Sequence, residues 1–124
     1  MAKRKNKSII VISIVVATIL ALFVTEVLRG PRSVFSGFNR EDQRGYEQIA
    51  KGLTKDQAIH LLGQPIEICD TFCLPQRQGF ERLFDAAERS DAVEYLLWVN
   101  GTNWYYCIGF DSSGRVAVKG EGHS

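Results

Sequence analysis

The residues of this chain best suited to covalent chemistry are its three cysteines, Cys69, Cys73 and Cys107. Asp70-Thr71-Phe72 separates the first two. A turn there would bring the sulfurs within bonding reach, whereas an extended spacer would hold them apart. In an oxidising compartment three cysteines imply one disulfide and one spare thiol, and Cys69–Cys73 is the most local pair; three unpaired, buried small residues is the alternative. A Cys-x-x-x-Cys pair with His60 lacks the fourth ligand that zinc requires. Asp56 and His60 stand one helical turn apart, and would activate a thiol only if His60 were turned toward Cys73. No phosphate-cradling glycine loop and no nucleophile motif is present. No catalytic residue, cofactor or metal is therefore expected, and a thiol-dependent enzyme is the last of the readings.

Binding chemistry is better represented, and it lies in a run of strands near the carboxyl end. Val93–Val99, Trp104–Phe110 and Arg115–Lys119 read as three strands. Asn100-Gly101 is a hairpin signal, because a type I′ turn needs positive φ at both central residues. Gly114 stands where a three-residue loop needs a left-handed residue. A two-residue turn at Asn100-Gly101 would pair Leu97 with Trp104, Tyr95 with Tyr106 and Val93 with Ile108. The second loop would pair Phe110 with Val116 and Ile108 with Val118. One face is then almost wholly apolar and needs covering by helices. The opposite face carries Leu96, Trp98 and Tyr105, with Leu96 and Tyr105 directly paired. Aromatic residues in such a patch are typical interface anchors, so Leu96, Trp98 and Tyr105 are the expected partner-binding residues. The alternative is that a further helix or the linker folds over them as a second core layer.

The amino-terminal end sets where such a domain would work. Ser8–Leu28 is a 21-residue run in which only Glu26 is charged. As a helix it reaches about 30 Å, the thickness of a bilayer core. It is longer than the apolar stretch of a cleaved signal, and no small-x-small cleavage triplet follows. A single-pass anchor in membrane lipid is therefore expected. Lys3, Arg4, Lys5 and Lys7 precede the run, while Arg29, Arg32 and Arg40 follow it, a bias toward a cytoplasmic amino terminus and an extracytoplasmic domain. From Arg29 onward there are 11 Lys and Arg against 13 Asp and Glu. That net of −2 contains no basic stripe for nucleic acid.

Residues 1–28 thus read as a basic tail and anchor, 29–39 as a linker and 40–124 as one domain. The linker holds Gly30, Pro31, Ser33, Ser36 and Gly37, and its Val34, Phe35 and Phe38 are apolar enough to lie on the domain or at the headgroups. Asn39 can cap a helix over Arg40–Lys51. Gly52 ends it, and Thr54 with Gln57 forms a capping box for a second helix to Leu62, closed by Gly63 and Pro65. Ile66–Cys69 can add a short strand. Phe80, Leu83, Phe84 and Ala87 recur at helical spacing, so Gly79–Arg89 reads as an amphipathic helix that covers part of the sheet.

The stretch Gly52-Leu53-Thr54-Lys55-Asp56-Gln57-Ala58 to Leu62-Gly63-Gln64-Pro65 resembles the signature of the SmpA/OmlA (BamE-like) small envelope proteins. Phe110-Asp111-x-x-Gly114-x-Val116 is similar to that family's closing strand pair. The chain departs from the pattern in lacking a lipidated cysteine, in Ala58 where valine is usual, and in a long stretch between Cys69 and Val93. The resemblance implies an α+β fold, with two short helices packed on one face of a three- to four-stranded antiparallel sheet. Here a single transmembrane helix would precede it. It also implies protein binding within cell-envelope or outer-membrane assembly, with an unidentified envelope protein as partner. An inhibitor-type binding domain, which shares a related fold, is the other binding role considered.

Overall fold

The computed structural model describes residues 2–32 and 37–124, without the side chains of residues 2–6. Val34 and Phe35, considered above as domain or headgroup contacts, lie outside the described residues. The fold is α+β, with four α-helices and one four-stranded antiparallel sheet among the described residues. Helix α1 covers Ala2–Leu28, and a short 3₁₀ turn follows at Gly30–Arg32.

Helices α2 (Arg40–Gln48) and α3 (Lys55–Leu62) start where their caps dictate. The Asn39 side chain accepts from the Glu41 and Asp42 N–H groups. At Thr54 both halves of the capping box are made, Gln57 N–H to Thr54 Oγ1 at 3.2 Å and Thr54 N–H to Gln57 Oε1 at 2.9 Å. Helix α2 stops at Gln48, short of Lys51, because Ile49 is extended and buried in the core. Helix α4 covers Glu81–Arg89.

Strands β1 (Glu67–Cys69), β2 (Glu94–Asn100), β3 (Trp104–Phe110) and β4 (Val116–His123) lie in the order β1-β2-β3-β4. The hairpin register differs from the expected one. Asn100 pairs with Trp104, Trp98 with Tyr106 and Leu96 with Ile108, so the connection is the three-residue Gly101–Asn103. Only Gly101 has positive φ there. Asn100 stays in the strand because its side chain is bound elsewhere. Its Oδ1 accepts from the Asn39 N–H at 2.7 Å, and its Nδ2 donates to the Asn39 carbonyl at 2.7 Å and to the Tyr106 hydroxyl at 3.0 Å.

An odd shift in register exchanges the faces of one strand relative to its neighbour. Leu96 and Trp98 now share a face with Tyr106, Ile108, Phe110 and Val116, under Tyr46, Ile49 and Ala58 of the α2–α3 region. Tyr95 and Leu97 join Cys107, Tyr105 and Val118 on the other face, beneath Phe72, Leu74 and the α4 residues Leu83, Phe84 and Ala87. The expected Phe110–Val116 pair is present, but an irregularity at Gly109–Phe110 sets Val118 opposite Gly109 rather than Ile108. The sheet is thus covered on both faces, α2 and α3 on one and α4 with the 70–75 loop on the other.

Candidate functional site

The predicted aromatic patch is not formed. Leu96 is 2 % exposed and Trp98 3 %, and the Trp98 indole N–H donates to the Gly63 carbonyl at 2.8 Å. Tyr105 lies on the opposite face, paired with Val99 rather than Leu96. The hairpin register is the cause: it turns Leu96 and Trp98 toward the helices that cover the apolar face. Phe38 is half-buried on the domain, with its ring edge-on to Trp104 at 6.4 Å.

Exposed apolar surface is found instead at β1, an edge strand of the sheet. Ile68 pairs with Leu96, so it sits on the α2–α3 face, and Ile66 falls on the same side by alternation. Neither is covered: Ile68 is 69 % exposed and Ile66 57 %. The outer edge of this strand has no partner strand among the described residues, so its backbone groups are open to another extended segment.

The three cysteines gather on the α4 face. Cys69 ends β1 and Cys107 is fully buried in β3. Cys73, in the loop between β1 and α4, places its Sγ 3.3 Å from Cys107 Sγ, and its N–H donates to the same sulfur at 3.3 Å. All three are free cysteines; Cys73 touches Cys107 and is also hydrogen-bonded to Cys69, the partner expected from spacing. Burial, with the neighbouring Cys73 hydrogen bond, pushes the Cys69 thiol up to about 12. The hydrogen bond to Cys107, then burial, raises Cys73. Thiols so shifted hold little thiolate at neutral pH and are poor nucleophiles. Asp56 and His60 are exposed on α3, which packs on the other side of the sheet, so the Asp56–His60–Cys73 grouping is not assembled.

A second feature lies where α1 meets the domain. Arg29, Arg32, Arg40 and Arg44, with Phe38, Gln43 and Glu47, line an open cavity of about 600 Å³. Arg29 Nη1 is 2.8 Å from Glu26 Oε1. The Arg32 guanidinium lies over two rings, 5.3 Å from the centre of Phe38 and 5.2 Å from that of Trp104. The i, i+4 spacing of Arg40 and Arg44 on α2 was legible in the sequence; their convergence with Arg29 and Arg32 was not. Comparison with protein-family models, with characterised proteins and with solved structures gives no match.

Proposed function

We propose that the chain is a single-pass, membrane-anchored protein-binding module of the cell envelope, with its amino terminus in the cytoplasm and its domain outside. The segment Lys7–Leu28 supports the anchor: 22 residues at a mean hydropathy of 2.8 reach about 33 Å as a helix. The observation that carries the binding role is the open, apolar edge of β1. An edge strand recognises an extended segment through its main chain and selects it through alternate side chains, here Ile66 and Ile68. An extended segment of an envelope-assembly protein is the partner, as the motif resemblance suggests. In an oxidising compartment Cys73 and Cys107 become a disulfide by exchange with a protein disulfide. The small thiolate fraction of Cys73 attacks the incoming S–S bond slowly and releases one thiol; Cys107 then attacks the mixed disulfide and releases the second. Both cysteine protons pass to solvent or to the leaving thiolates.

The decisive experiment places a photo-crosslinking residue at position 68 of the full chain in its native membrane. Capture of an extended peptide of a defined envelope protein, lost on Ile66→Lys with the melting temperature unchanged, supports the role. Capture that survives Ile66→Lys rejects it. Orientation is read separately, by a reporter fused after Ser124 that is active only outside the cytoplasm and by peptide mapping of unreduced protein. An inactive, well-expressed fusion with free Cys73 and Cys107 rejects the topology.

A further inference from the structure

The cavity between the end of α1 and α2 is lined mainly by arginines and is cationic. Four arginines line it with one carboxylate, Glu47, and Arg29 is already paired with Glu26. Among the described residues Arg32, Arg40 and Arg44 belong to no ion pair within 4 Å. Like charges left together without counterions repel, so the arrangement is relieved by an anion. Guanidinium is the group suited to it, since its planar fork meets phosphate oxygens in pairs.

The site is also held in place. Arg32 is fixed over Phe38 and Trp104. Arg40 and Arg44 share one face of a helix, whose start is pinned by the two hydrogen bonds between Asn39 and Asn100. Gln43, in the same wall, bonds to Glu47 and to Glu121, which directs that acidic pair toward an amide.

Position identifies the anion. Arg29 follows directly on Leu28, the last residue of the apolar span. Arg32 ends the 3₁₀ turn that comes next, about 6 Å further along at 2 Å per residue. With α1 across a bilayer, this is the depth of the lipid headgroups. We propose that the cavity binds the phosphodiester headgroup of an anionic glycerophospholipid, and so fixes the domain against the membrane surface. This rests on the anchor reading above, which the following experiment tests apart from it.

Full-length protein is first floated with neutral phosphatidylcholine vesicles. It is then transferred to a neutral detergent and examined by native mass spectrometry with short-chain phosphatidylglycerol, phosphatidylcholine or inorganic phosphate. The expected result is flotation, retention of phosphatidylglycerol in preference to phosphatidylcholine, and at least a tenfold weaker retention in the Arg40→Gln/Arg44→Gln variant. Both positions are on the exposed face of α2, so flotation and melting temperature should be unchanged in the variant; the basic tail at Lys3–Lys7 is intact in it and serves as the internal control. Flotation with equal retention of the two lipids, or retention indifferent to the double substitution, overturns the site while leaving the anchor. Displacement of phosphatidylglycerol by an equal concentration of inorganic phosphate makes it a free-phosphate site and overturns the lipid assignment. Failure to float overturns the anchor and, with it, the lipid proposal.

Discussion

On the α2–α3 face of the sheet a chain of polar groups runs through the apolar packing. Asn39 bonds to Asn100, Asn100 to the Tyr106 hydroxyl, and that hydroxyl donates to Gln43 Oε1 at 2.6 Å. The Tyr106 ring stacks on Tyr46 at 4.6 Å. The α4 face is paved differently. Gly109, Gly120 and Gly122 line it, and Phe72, Leu83, Phe80 and Leu74 press close to the last two. The three thiols lie among these residues. The first face specifies geometry, because each buried polar group accepts only certain partners. The second achieves close packing, because glycine leaves room for rings against the backbone. Register and strand ends should therefore depend on the first face, and redox state on the second.

The largest expected effect breaks the first face. Trp98→Ala removes a buried ring and a bond to Gly63, and should cost about 3–5 kcal/mol. Thermal unfolding reads this as a melting temperature lower by roughly 4–8 °C per kcal/mol. An unchanged melting temperature would return Trp98 to the surface patch that its sequence position suggests.

Asn100→Ala should come next, at about 2–3 kcal/mol, because it strands Tyr106 and the Asn39 backbone groups. Amide hydrogen exchange should show lost protection at the Gly101–Asn103 end of the hairpin and at the start of α2. Protection lost uniformly would mean that Asn100 does not hold the register.

Gly109→Ala tests the second face. An added Cβ would stand 2.7 Å from Ala92 Cβ and from Tyr95 Cε1, and 2.8 Å from Val118 Cγ1. Overpacking of this kind costs about 1–3 kcal/mol, measured by denaturant unfolding. A neutral result would show the α4 face to be more yielding than its close contacts indicate.

The smallest effect is nil at neutral pH. Burial pushes the Tyr106 phenol up to about 12, so folding favours its neutral form. The unfolded chain ionises from about pH 10. Stability should therefore hold below that pH and fall as pH rises from about 10 to about 12. Tyr106→Phe should make this alkaline limb shallower in circular dichroism, the rest belonging to the Tyr46 phenol, which burial also raises; an unaltered limb would assign it wholly to other groups.

Much of the architecture is local and was legible as such. The caps of α2 and α3 join Asn39 or Thr54 to residues two or three positions on, so sequence spacing alone specifies them. The span of β3, the Asp111–Gly114 loop and the bilayer length of α1 are likewise properties of single stretches. The hairpin register departs from its local signal because Asn100-Gly101 favours a tight turn only while the asparagine side chain has no better partner. Asn39, 61 positions away, is that partner, and the one change carried Leu96 and Trp98 from a surface to a core. Cys73 meets Cys107 across 34 positions, and Arg29 meets Arg44 across a turn and a linker. Spacing could not show these meetings, since they exist only after both faces of the sheet have been covered. What the chain by itself determined is where α2 and α3 begin and where α3 ends, through hydrogen bonds closed within a turn. Which side chains share a face, a cavity or a sulfur contact was decided by tertiary packing, where distant groups compete for the same partner.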